Sequence, residues 1–229
     1  LAYIGREFQP GRAVLGDSGK ICLDKKTCFG KVDRKMVQNE GVPILNLASY
    51  TVLDPGPETT ASLNGKIREV LAGIPGAGEP TMWRRVTGED VLAITEFEDQ
   101  EAMSNFERLF VISDLFEELQ SYLEESPDVD RFSVIHRQGA MPSEVPIGGY
   151  ASTNWYIADV GHESAELEEA QYIIESLWQI SGFLGAYVGK SLTTPGRLDS
   201  LAFWEDGEAA EKAIPIRVDT NLKMYRRVL

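Results

Sequence analysis

The chain has 229 residues, 43% of them hydrophobic, and a formal net charge of -14 at pH 7. That length suits one large or two small domains, and the acidity makes nucleic acid and anionic membrane surfaces poor partners, since both require concentrated Lys and Arg. No apolar run approaches the roughly 18 residues that span a bilayer, and Leu1 in place of Met fits either a chain processed by loss of a targeting peptide or a trimmed one, which leaves the compartment unknown.

Residues 1–41 hold eight basic residues (Arg6, Arg12, Lys20, Lys25, Lys26, Lys31, Arg34 and Lys35) against five acidic ones, so a basic arm precedes an acidic remainder. Turn signals at Pro10-Gly11, Gly16-Asp17 and Ser18-Gly19, with no sustained apolar period, predict an extended segment. Both cysteines, Cys22 and Cys28, lie in it. The two histidines, His136 and His162, lie more than a hundred residues away, so no metal site is expected. A local Cys22–Cys28 disulfide and two free thiols both remain open.

From Val42 the pattern changes. Ile44 to Val52 is a β-rich run closed by Asp54-Pro55-Gly56. Leu63, Ile67, Val70 and Leu71 then share one helical face, with Pro57 suited to the first turn. Strands follow at about 80–87 and 90–97. A helix begins at Glu101-Ala102 behind Asp99, and a helical stretch from Ser113 carries Leu115, Phe116, Leu119, Tyr122 and Leu123 on one side. Arg131 to Arg137 is the fourth strand. Residues 139–147, with Pro142 and Pro146, read as a linker. The same β-α-β-β-α-β order then restarts: a strand near 150–158, a helix at 164–180, strands near 183–190 and 198–204, a short helix after Asp206 and a strand near 223–229.

The repeat extends to residues. Ile74-Pro75-Gly76 matches Ile180-Ser181-Gly182 at an offset of 106, and Phe97-Glu98-Asp99-Gln100-Glu101-Ala102 matches Trp204-Glu205-Asp206-Gly207-Glu208-Ala209 at an offset of 107. A four-stranded antiparallel sheet with both helices on one face must bury the other face. Two copies in one chain do so by packing sheet on sheet. The expected fold is α+β: two tandem ferredoxin-like units, residues 42–138 and 148–229, forming an intrachain dimeric α/β barrel behind an extended N-terminal arm.

The segments Phe97-Glu98-Asp99-x-Glu101-Ala102, Trp204-Glu205-Asp206-x-Glu208-Ala209 and Gly182-Phe183-Leu184-Gly185 resemble the antibiotic-biosynthesis-monooxygenase family of dimeric α/β barrels. The resemblance spans both repeats and excludes the arm. It implies the same fold. It also implies either cofactor-free oxygenation of electron-rich polycyclic phenols or haem degradation through an Asn on the first strand, a Trp ending the third and a His on the second helix. Asn46 or Asn154 matches the first role and Trp204 the second, but no histidine lies in 99–126 or 206–214, and Phe97 stands at the Trp position of the first half. Haem ligation is therefore not expected, and no cofactor is.

Cofactor-free oxygenation needs an apolar pocket, a proton acceptor and hydrogen bonds to the resulting anion. His162, just after the first strand of the second half, and Asn154 beside Trp155 and Tyr156 are the candidate catalytic residues. Tyr50, Trp83, Tyr156 and Trp204 are the candidate pocket residues. His136 is a further candidate base, although a lone histidine and large aromatics commonly serve the core. Arg84 and Arg85 point to opposite faces of one strand, so at most one faces the interior. The acidic runs Glu117-Glu118, Glu124-Glu125 and Glu163 to Glu169 read as solvated helix faces.

Two functions are compatible with this pattern. One is an enzyme of the monooxygenase-like kind acting on an aromatic or polyketide-like molecule. The other is a non-catalytic assembly protein whose arm, through Tyr3, Ile4, Phe8, Val14, Leu15, Ile21 and Phe29, docks on neighbouring copies to form a homo-oligomer. A connected apolar cavity of about 300 Å³ or more favours the enzyme.

Overall fold

Apolar strands buried on both faces build an eight-stranded closed barrel. The computed structural model describes residues 41–54, 56–112, 119, 121–159, 161–213 and 221–229, and the backbone of three short strands nearer the N-terminus. Those three are β1 (Val14–Leu15), β2 (Ile21–Asp24) and β3 (Thr27–Cys28). They form an antiparallel sheet by themselves, with Cys22 in register with both Val14 and Cys28. The side chains expected to anchor the arm, and both thiols, lie outside the described residues. So does most of the helical stretch expected from Ser113.

In the unit from Gly41 onward, the first half runs β4 (Ile44–Thr51), α1 (Pro57–Leu71), β5 (Thr81–Arg85), β6 (Asp90–Phe97), α2 (Gln100–Ile112) and β7 (Asp128–Gly139). A 3-10 turn at Pro142–Glu144 separates it from the second half. That half runs β8 (Tyr150–Ile157), α3 (Glu163–Leu177), β9 (Phe183–Ser191), β10 (Arg197–Trp204), α4 (Gly207–Lys212) and β11 (Lys223–Arg227).

The barrel order is β10-β8-β11-β5-β6-β4-β7-β9. Within it, β7-β4-β6-β5 and β11-β8-β10-β9 are the same arrangement: fourth, first, third, second strand. The halves share one topology, the ferredoxin-like one expected from the repeat. Each open edge is paired by the other half, β7 with β9 and β11 with β5, so among the described strands of this unit no edge is left to recruit another chain. Pairing on both sides explains why β7 runs beyond Arg131–Arg137 at both ends: Gln138 and Gly139 are held by Ala186 and Gly185 of the other half, and Asp128 to Asp130 by β4 of the same half.

Strand alternation sorts side chains between the barrel interior and two helix-covered cores. Leu45, Trp83, Ile94, Phe132, Tyr187, Leu201, Phe203 and Tyr225 pack inside. Trp83 of the first half stacks on Phe203 of the second with ring centroids 5.6 Å apart. Outside, α1 and α2 bury Ile44, Ala48, Tyr50 and Phe97, and α3 and α4 bury Leu198, Ala202 and Trp204.

The matched motifs are one device used twice. After α1 the chain turns at Gly76 (φ 78°), whose carbonyl accepts from the Glu98 amide at 2.8 Å; Asp99 then caps α2 by accepting from the Ala102 amide at 2.8 Å. After α3 it turns at Gly182 (φ 88°), whose carbonyl accepts from the Glu205 amide at 2.7 Å, and Asp206 accepts from the Ala209 amide at 2.8 Å. Positive φ requires glycine at the turn. The alanine at the third helical position sits close against the turn, since a Cβ on Gly182 would lie 2.7 Å from Cβ of Ala209.

Candidate functional site

Between α3 and the outer face of β8, β9 and β10 lies a cavity of about 300 Å³. Its apolar wall comes from the helix (Ala170, Ile173, Ile174 and Leu177) and the sheet (Ala186, Val188 and Ala202). These residues carry the period that packs a helix on a sheet, but their side chains do not fill the space between. Polar groups gather along β8 and its neighbour: Asn154, Tyr156 and Ser200, with Glu166 and Glu169 on the helix. Tyr156 is held in place, its hydroxyl donating to the Glu166 carbonyl at 3.2 Å.

The register shows how far the halves have diverged here. Ile44 pairs with Phe97 as Tyr150 pairs with Trp204, which equates Ala48 with Asn154, Tyr50 with Tyr156 and Ala93 with Ser200. Two small apolar residues of the first half are thus replaced in the second by two hydrogen-bonding ones, both on the cavity. The same register shows that the two asparagines are not counterparts. Asn46 corresponds to Ser152, two residues from Asn154, and its side-chain carbonyl accepts from Nε of Arg131 at 3.0 Å.

Of the residues singled out from the sequence, the fold brings Asn154 and Tyr156 together on this cavity. Tyr50 is buried against α1 and α2, where desolvation pushes its hydroxyl pKa well above the usual tyrosine value. Trp83 is enclosed in the barrel, Nε1 donating to Oγ1 of Thr81 at 2.8 Å. Trp204 is fully buried, Nε1 donating to Oγ of Ser152 at 3.0 Å and its ring edge-on to Phe183 at 5.1 Å. His162 is exposed at the N-cap of α3 and lines neither cavity described here. His136 is half-buried on β7, and burial lowers its pKa against a smaller opposing effect of Glu175.

A second cavity, about 410 Å³, occupies one end of the barrel and was not foreseen. Leu47, Leu92 and Phe132 form its floor, and Ser49, Arg85, Asp128, Asp130, Trp155, Arg197, Asp199 and Lys223 its polar ring. Arg85 is the inward member of the Arg84–Arg85 pair and is ion-paired with Asp90. Arg197 lies over the Trp155 ring, 4.7 Å from its centroid, and binds Asp130 and Asp199, each at 2.7 Å. The available signal was Arg197-x-Asp199, a spacing that puts both side chains on one face of a strand.

Asp199 is 6% exposed, and desolvation raises its pKa to about 6 despite the hydrogen bonds and charge of Arg197. Because the folded-state value lies above the unfolded one of about 3.9, ionisation of Asp199 destabilises the fold above pH 6, and that penalty fades as pH falls toward 4. Relative to Asp199→Asn, the native protein is therefore expected to gain stability on going from pH 8 to pH 5, by about 1.4 kcal/mol, roughly half of the full penalty. Urea denaturation of both proteins at the two pH values measures this gain, and a constant difference would refute it.

No family model matches the sequence, and no curated protein matches it. Solved structures do match in shape. A candidate monooxygenase from Fusobacterium nucleatum aligns with a TM-score of 0.65 at 13% identity, over 82% of this chain and 94% of its own. A second, from Lactobacillus acidophilus, aligns at 0.60 and 12% identity, over 81% and 94%. An anthrone oxidase-like protein aligns at 0.57 and 14%, over 84% and 93%. Identities this low speak to architecture. Within one polypeptide, the chain has the fold of these proteins, two ferredoxin-like halves closed into one eight-stranded α/β barrel.

Proposed function

We propose that the protein is a cofactor-independent monooxygenase-like enzyme acting on an aromatic or polyketide-like molecule, bound between α3 and the outer face of β8 to β10. The observation that carries this reading is the half-specific change from Ala48 and Ala93 to Asn154 and Ser200 around an apolar space of about 300 Å³. Pure packing gains nothing from polar groups there. A flat phenolic ligand gains from both, its rings on Ile173, Ile174 and Leu177 and its oxygen near the Asn154 amide. The anthrone oxidase-like neighbour suggests the chemistry, a ring methylene activated by adjacent aromatic rings. Loss of one methylene proton, which the Glu166 carboxylate can accept, leaves an oxyanion-stabilised carbanion that reduces O₂. A C–O bond forms, the O–O bond breaks, the second hydrogen departs, and the products are a carbonyl and water. Asn154 is assigned to hold the oxyanion.

Oxygen uptake and quinone absorbance with anthrone and related polycyclic phenols test the proposal. Asn154→Ala is expected to lower kcat/KM by about 10- to 100-fold, the usual worth of a hydrogen bond to a developing charge. Its unfolding midpoint should stay near that of the native protein. Neither binding nor turnover of any member of the series by the folded native protein would overturn the reading. The assembly alternative would gain weight from that result.

A further inference from the structure

Asp199 sits on the inner face of the barrel, with Oδ1 accepting from Nε and Nη2 of Arg197 at 2.9 and 2.7 Å. Its other oxygen, Oδ2, is buried and has no hydrogen-bond partner among the described residues. A carboxylate oxygen in that position is costly unless something donates to it. Arg197 directs Nε and Nη2 at Oδ1, and Nη2 is shared with Asp130, so neither of these donors serves Oδ2. One cation between two carboxylates leaves this group with a net negative charge facing a chamber of about 410 Å³. Across the chamber, Arg85 is balanced by Asp90, and Asp128 and Lys223 complete the ring. With Asp90 included, the four carboxylates exceed the three basic side chains by one.

From this geometry we infer that the barrel-end chamber binds a small organic cation, an alkylammonium, whose N–H groups bond Oδ2 of Asp199 and whose charge completes the ring. An ammonium head supplies three donors and the missing positive charge together. A metal ion is a poorer fit, because among the described residues no group of three or more His, Cys, Asp or Glu side chains is placed to hold one. An anion would meet the carboxylates of Asp128, Asp130 and Asp199. The apolar floor of Leu47, Leu92 and Phe132 suits a short alkyl chain. Asn154, Asp199 and Ser200 line both this chamber and the α3 cavity, but the inference rests on the charged ring and needs no oxygenation.

Isothermal titration of the full chain with 1,4-diaminobutane at pH 8 tests it, with sodium acetate and sorbitol as anionic and neutral controls. One saturable site for the diamine is expected, with no saturable heat from either control. Asp199→Asn is expected to weaken diamine binding at least tenfold. Lys223→Gln, which removes a like charge from the ring, is expected to strengthen it severalfold. If Asp199→Asn does not fold, Lys223→Gln carries the test alone, and unchanged or weaker diamine binding by it overturns the inference. So does a native protein that fails to bind the diamine, one that prefers acetate or sorbitol, or a folded Asp199→Asn protein with native affinity.

Discussion

Replacing Gly189 with alanine is expected to destabilise the protein by roughly 3 kcal/mol, the upper part of the range for overpacking, and to lower the melting temperature by about 6–12 °C. A Cβ on Gly189 would lie 2.2 Å from the Ser133 carbonyl oxygen and 2.4 Å from Cδ2 of Phe132. Both belong to β7, so the added carbon acts as a wedge in one of the two seams joining the halves. Phe132 is itself fully enclosed in the barrel and has little room to turn. Differential scanning fluorimetry measures the effect. Gly65→Ala is the control: nothing lies within 4 Å of a Cβ there, and the position is inside α1, where alanine is favoured over glycine by about 0.5–1 kcal/mol. Equal melting temperatures for Gly189→Ala and the native protein would refute the seam argument.

Truncating Trp83 to alanine should cost about 3–5 kcal/mol, as for other buried large aromatics. The indole is fully buried, stacked on Phe203 and bonded to Thr81, so its removal empties the middle of the barrel and weakens a contact between the halves. Urea denaturation followed by circular dichroism measures the loss. Trp83→Phe, which keeps most of the stacking area and gives up only the hydrogen bond, should recover more than half of it. An alanine variant as stable as the native protein would contradict the assignment of Trp83 to the barrel core.

Much of this fold is legible in the sequence because its junctions are local. The turn at Gly76 or Gly182 and the cap at Asp99 or Asp206 each occupy a few residues, and they recur with nearly constant spacing. The seams are not legible in that way. Nothing near Arg137 in the chain announces Tyr187 as its partner, because that pairing depends on two sheets meeting. The candidate site divides similarly. Asn154 and Tyr156 stand out as polar and aromatic residues on a predicted strand, whereas Ile173, Ile174 and Leu177 read simply as a packed helix face. Hydrophobic periodicity reports which side chains avoid water and is silent on whether they touch. The barrel-end chamber was hidden for a related reason. Asp130, Asp199, Arg197 and Lys223 are ordinary charged residues on three strands until closure gathers them.

The covalent join between the two halves has a genetic consequence. In a barrel assembled from two identical chains, every substitution is imposed on both halves at once, and a change that improves one pocket must be tolerated in its twin. Here a codon change touches one half only. Ala48 and Ala93 could remain as packing residues while their counterparts became Asn154 and Ser200, so one half can act as ballast for the other. A barrel of this kind is free to keep a cavity such as that under α3 on one side only, and its two halves can diverge under different selective pressures.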